Sequence, residues 1–301
     1  GALGLHYDSD PQSKSLDRPF QTPPEAVPSI PWADRNAEAA SELVQGRRLA
    51  EARHTYEEVL DAEPWHREAL LGLADLEFRR GLNSTGLLYA RRALQLDAYD
   101  TEANFLAGNL YLAAGKVLDA HEAFGWAARG MQYRSVSYQQ LAKLEAVEGD
   151  WKEATRYANM ALDYDVYALP AYHILAVSAR AEGDSLRASN ALERIEEIDP
   201  MSHIPFAEHW LAEDGNEARA ELRARFRGEF PGQEIIELGL AYAAVGRMGE
   251  ARAVMSLADG TSVEPLTRAW IAHSAGNVGD LGAPASVDFV FPFRREMLPV
   301  L

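Results

Sequence analysis

The chain of 301 residues contains no cysteine. Disulfide staples, thiolate nucleophiles and cysteine-ligated metals are excluded together, although the missing cysteine fixes no compartment. Lysine is almost as scarce, standing only at Lys14, Lys116, Lys143 and Lys152. Arginine therefore carries the basic charge, which most simply reflects the base composition of a gene. No apolar run approaches the roughly 18 to 20 residues of a membrane span, so no membrane insertion is expected. Positive charge is in deficit: 29 Lys and Arg face 46 Asp and Glu, for a formal net charge of -17. That field argues against nucleic acid or an anionic membrane as partner, and in its plainest reading it keeps the protein soluble.

Catalytic signatures are missing as well. There is no G-x-S-x-G, no G-x-G-x-x-G and no G-x-x-x-x-G-K-[ST]. None of the eight histidines stands four residues from another, so no helix presents a metal-binding pair. The run HEAFG at 121–125 lacks the second histidine of a zinc-hydrolase helix, and His203 and His209 fall on different helix faces. Adjacent carboxylates such as Glu57 and Glu58, or Glu196 and Glu197, read as solvated helix charges. The glycine cluster at 276–282 follows no strand pattern, which removes a phosphate cradle. The expectation is a protein that is not an enzyme and takes no cofactor or metal. Residue 1 is Gly rather than Met, with no basic and apolar leader after it; the chain reads as excised from a longer protein. No pattern fixes a location, and the cytoplasm is only slightly preferred.

What the sequence has is a period. Ala52, Gly86, Ala120, Ala154 and Ala188 recur every 34 residues, in step with Ala40, Ala74, Gly108, Ala142 and Ala176. After a break the pair returns as Gly239 and Ala251. Small residues twelve apart at this period mark two antiparallel helices that touch closely once per unit, and a stack of such pairs is a helical solenoid. With the two small positions numbered 8 and 20, position 15 carries Gly81, Gly115, Gly149, Gly183 and Gly246. A glycine there ends the first helix in a left-handed cap. Pro64 and Pro200 stop the second helix. The fold class expected is all-α: a right-handed superhelical solenoid of antiparallel helix pairs, preceded by an extended N-terminal segment.

These residues resemble the tetratricopeptide repeat family. The unit TEANFLAGNLYLAAGKVLDAHEAFGWAARG places Gly108, Tyr111, Gly115, Ala120, Phe124 and Ala127 in the family's slots. The division expected is an extended Pro-rich linker at 1–32, five units in one register at 33–202 and a degenerate short repeat at 203–231. A further unit, a partial repeat, a Gly-rich loop and a short apolar segment fill 232–301. The degenerate repeat is expected to bend the superhelix. The apolar ending FPFRREMLPVL is not the polar cap of a terminal repeat, so either the protein continues or a second copy covers that end as a homo-oligomer. AYDTEANFLAGNLY and PASVDFVFPFRREMLPVL also resemble the C-terminal repeat region of large bacterial proteins of unassigned function. Those carry a β-rich N-terminal domain suspected of acting on carbohydrates.

In such arrays the first helices line a concave groove through positions 2, 5, 6, 9, 12 and 13 of each unit. Here that geometry points to Asp75, Phe78, Arg79, Phe105, Asn109, Gln140, Lys143, His173 and Arg180. Amides there pair with a peptide backbone whatever its side chains. The family's clamp for a C-terminal carboxylate is not expected, because Phe105, Pro170 and Ile174 stand where its polar and cationic residues belong. Trp126, Trp151, Tyr133 and Tyr167 lie near unit junctions, where packing between repeats is the simpler role than stacking on a sugar. The sequence supports a non-catalytic scaffold that binds a protein or peptide, or a β-rich domain of its own parent chain. The alternative is the accessory or oligomerisation region of a larger bacterial carbohydrate-active enzyme.

Overall fold

The computed structural model describes residues 31–213, 215–227, 231–261 and 263–274. The extended segment expected before the repeats lies outside them except for Pro31 and Trp32, and Trp32 already opens the first helix. The Gly-rich loop and the apolar C-terminal stretch, with the homo-oligomer contact expected there, also lie outside the described residues. Fifteen α-helices follow in the described part, with no strand among them. They are α1 Trp32–Gln45, α2 Leu49–Ala62, α3 Arg67–Arg79, α4 Asn83–Leu96 and α5 Thr101–Ala113. Next come α6 Val117–Ala127, α7 Arg134–Glu148, α8 Trp151–Leu162, α9 Leu169–Glu182 and α10 Ser185–Ile198. The last are α11 Ile204–Glu213, α12 Asn216–Arg225, α13 Pro231–Ala243, α14 Met248–Met255 and α15 Glu264–Ser274.

Successive helices pair into antiparallel hairpins, and from α1 to α12 each hairpin packs on the next. Close approach is what the small residues supply. Ala40, Ala52, Ala74, Ala120, Ala142, Ala154 and Ala176 are all fully buried at the crossings. Where a large partner faces the crossing, even a methyl group is too much: a Cβ on Gly108 would lie 2.6 Å from the Phe124 ring. Among the described residues, the sharp turn of every hairpin except α11–α12 uses a left-handed residue. Gly81, Gly115, Gly149, Gly183 and Gly246 have φ between +71 and +80°. The first hairpin places Arg47 there instead, at φ 59°, the only non-glycine with positive φ among the described residues. Asp100, Asp150 and Asp184 cap α5, α8 and α10 by accepting bonds from the first free amides.

The unit at α11 and α12 departs from the others. Both helices have 10 residues, against 13 to 15 for α5, α7 and α9. Beyond this shortened pair the following hairpin turns back onto α7, α8 and α9. Gly246 lies so close to the end of α7 that an added Cβ would stand 2.8 Å from Val147 Cα. Arg247 sits over the Trp151 ring at 5.7 Å, and the His173 ring meets Tyr242 edge-on at 5.0 Å. One apolar core consequently runs from α7 to α15, whereas the first three hairpins are held by smaller separate clusters.

Candidate functional site

The first helices of three consecutive units, α1, α3 and α5, enclose a concave cavity of about 820 Å³. Their helical period decides its character. Residues three and four apart share a face, so Leu71, Phe78, Phe105 and Leu106 form an apolar floor. Gly72 lets the Tyr56 ring pack directly on α3: a Cβ there would strike that ring at 2.4 Å. The Tyr56 hydroxyl is pushed above its ordinary range, chiefly by burial. Phe105 is fixed by its neighbours, with the Phe124 ring at 5.8 Å and the Tyr133 ring at 5.3 Å.

The rim is acidic. Asp34, Glu38, Glu68, Asp75 and Glu102 line the cavity with a single guanidinium, Arg67. Arg67 is already committed: its Nη2 donates to Asp100 and to Glu102, each at 2.9 Å, and its Nε donates to Asp100 as well. Burial pushes the Asp100 carboxyl up, but Arg67 and the α5 amides outweigh it and hold it below its ordinary value. Arg67 is raised in turn, first by its bond to Asp100. His66 Nε2 stands 2.9 Å from Asp34, and Arg79 Nε donates to Asp75 at 2.6 Å. Glu38 is exposed and has no ion-pair partner among the described residues.

Of the residues singled out by repeat position, Asp75, Phe78, Phe105 and Asn109 share the wall of this cavity. Asn109 donates to the Phe105 carbonyl at 3.0 Å, which leaves its side-chain oxygen as an acceptor toward the groove. Arg79 flanks the cavity through Asp75. Gln140 and Lys143 lie on α7, both half-buried and outside the cavity wall. Burial lowers the pKa of Lys143, which has no ion-pair partner among the described residues. His173 and Arg180 are not open to a groove. His173 is 4% exposed, and its Nε2 is buried without a partner. Burial, reinforced by Lys143 and Arg180 against the opposing pull of Glu208, brings its pKa down to about 4. Arg180 grips buried Glu208 through Nε at 2.7 Å and Nη2 at 3.2 Å, and reaches Glu250 at 3.4 Å. The Tyr242 hydroxyl donates to the same Glu208 carboxylate at 2.8 Å. These groups tie the turned-back hairpin to α9, and that closure is the physical reason both leave the accessible face.

Asp34, Glu38 and Ser41 of α1, and Arg67 and Tyr133, also line the cavity and are not among the residues singled out from the sequence. The signal for α1 is nonetheless present, because Asp34, Ala37, Glu38, Ser41 and Val44 occupy groove positions 2, 5, 6, 9 and 12 of the first unit. Trp126 does pack across units, with Tyr99 at 4.9 Å, whereas Tyr133 packs on Phe105 of its own unit. Tyr167 is 70% exposed and meets no other ring among the described residues. Among the described residues no group of three or more His, Asp or Glu could hold a metal ion, and no helix is long and apolar enough to cross a membrane.

No protein-family model matches the chain, and no curated protein matches it. Solved structures do. PilW, described as a widely conserved type IV pilus biogenesis factor, is similar over 66% of this chain and 94% of its own, at 19% identity and a TM-score of 0.58. Pseudomonas aeruginosa pilF is similar over 73% and 96%, at 14% identity and a TM-score of 0.58. A tetratricopeptide repeat protein from Parabacteroides merdae is similar over 81% and 98%, at 13% identity and a TM-score of 0.57. Identities this low speak for architecture and not for a shared ligand. The stacked hairpins, their small-residue crossings and these likenesses together give the chain the all-α, right-handed superhelical fold of tetratricopeptide-repeat proteins.

Proposed function

We propose that this protein is a non-catalytic interaction scaffold whose concave groove binds an extended peptide or a segment of a partner protein. The observation that carries the reading is the cavity itself. It spans three units, Leu71, Phe105 and Leu106 give it an apolar floor, and Asn109 and Glu38 stand in its wall. An apolar anchor buried on Phe105 supplies affinity, while Asn109 offers an acceptor to a backbone amide. A β-rich domain of the same polypeptide is one such partner; that reading is supported by sequence resemblance alone.

The test is selection of displayed peptides on the intact protein, followed by binding to variants. Phe105→Ala is expected to weaken selected peptides by about tenfold or more, the scale of an interface anchor. Asn109→Ala, which leaves the floor packing alone, is expected to weaken them by a smaller factor. Leu118→Ala on the outer face, where Leu118 is 86% exposed, is expected to change nothing. Peptides that bind both groove variants at undiminished strength would remove the groove assignment.

A further inference from the structure

The cavity is not neutral about what it admits. Five carboxylates line it, and the cations within reach are spent inside the protein: Arg67 on Asp100 and Glu102, Arg79 on Asp75. An acidic segment entering here would lose water around its charges, and among the described residues lining the cavity it would find no uncommitted guanidinium to replace it. A cationic segment would find the reverse. Glu38 has no ion-pair partner among the described residues, and Glu68 meets Arg67 at 3.5 Å and His66 at 3.6 Å, both beyond a short charge-assisted bond. The same cavity wall carries the apolar side chains Leu71, Phe105 and Leu106, against which the stem of an arginine or lysine and a neighbouring apolar side chain can pack.

From this complementarity we infer that the cavity between α1, α3 and α5 is a receptor for a cationic, apolar peptide segment: arginine or lysine at the Glu38 and Glu68 rim, with an aromatic or aliphatic anchor on Phe105. The inference rests on the groove reading above and adds the chemical class of the occupant. It is separate from the overall charge of -17, which attracts cations to every face without choosing a site. The rim carboxylates and the apolar floor must act together, and that joint requirement is what distinguishes a site from a field.

Fluorescence anisotropy with three labelled peptides of about 12 residues, long enough to cross the cavity when extended, tests it on the intact protein. The first interleaves Arg and Lys with Phe and Leu. The second carries Glu in place of the cations, and the third carries Ser in place of the apolar residues. The first is expected to bind, with the other two weaker by about tenfold or more. The double variant Glu38→Gln, Glu68→Gln is expected to weaken the first by about fivefold, two exposed pairs' worth. Glu122→Gln, an exposed carboxylate on α6 outside the cavity, is expected to leave it unchanged. Both rim residues are exposed, and an unchanged thermal midpoint verifies that the variants fold. No binding of the first peptide, or equal binding of the acidic one, overturns the inference. Loss with Phe105→Ala but not with the rim variant would discard the cationic class and keep the groove. Indifference to both would discard the groove as well. Self-association abolished by the rim variant would place a second copy in the cavity and overturn the peptide assignment.

Discussion

Single residues carry strain and burial that can be measured one at a time. Arg47 holds the left-handed turn that five later hairpins assign to glycine. A side chain in that region costs roughly 1 to 2 kcal/mol, partly offset by the freedom glycine adds to the unfolded chain. Arg47→Gly is therefore expected to raise stability by about 0.5 to 1 kcal/mol in urea titration. His173 offers the opposite case. Its pKa of about 4 in the folded protein, against an ordinary 6.5, means that the fold accepts only the neutral ring. A depressed imidazole contributes stability above pH 6.5 and loses it as pH falls toward 4, and a shift of this size is worth about 3 kcal/mol. Denaturant titrations between pH 7.5 and 4 should show that loss, and His173→Phe, which cannot take up a proton, should flatten it. The groups facing the ring are Glu208, Lys143 and Arg180. Carboxyls held low elsewhere, Asp100 and Glu250, act in a lower window: their contribution is present above their ordinary values of 3.8 and 4.5 and is lost only below them.

At the scale of the helix, the same substitution has opposite signs on two glycines. Gly125 on α6 faces open space, so Gly125→Ala should gain up to about 1 kcal/mol of helix propensity. Gly108 on α5 abuts Phe124, and Gly108→Ala should lose about 1 to 3 kcal/mol to overpacking despite the same propensity gain. Thermal melts of the pair decide whether close crossing, rather than composition, sets the repeat. Capping aspartates divide in the same way. Asp150→Ala removes a cap and is expected to cost about 1 kcal/mol. Asp100→Ala also strips Arg67 of a partner and should cost about 2 to 3 kcal/mol. Elements of this kind were legible in the sequence because each is fixed locally: small residues at a fixed period can only serve close crossings, and glycine at position 15 can only serve a turn. The floor residues Phe78 and Phe105 were legible for the same reason. His173 and Arg180 shared the right positions and misled, because what covers them comes from α11, α13 and α14, far along the chain. Repeat position specifies the face of a helix and is silent about what folds onto that face.

Over the whole molecule, stability should be uneven. The continuous core from α7 to α15 contrasts with the smaller clusters of the first three hairpins. Native-state hydrogen exchange is expected to show slower amides in α9 and α13 than in α1 and α2. Glu208→Ala would leave Arg180 and Tyr242 facing each other without their shared acceptor. Removing one partner of a buried pair costs about 3 to 5 kcal/mol, so protection in α9, α11 and α13 should fall together. If only α11 changed, the closure would not be cooperative.

The turned-back hairpin has one more implication. Where every unit touches only its neighbours, modules can be duplicated, deleted or exchanged like beads. That freedom holds here for the opening units. It ends at Arg180, whose grip on Glu250 skips the intervening pair and sets a fixed span. An engineer grafting a full-length module between α10 and α13 would sever that clasp, whereas a graft between α2 and α3 would merely lengthen the spiral.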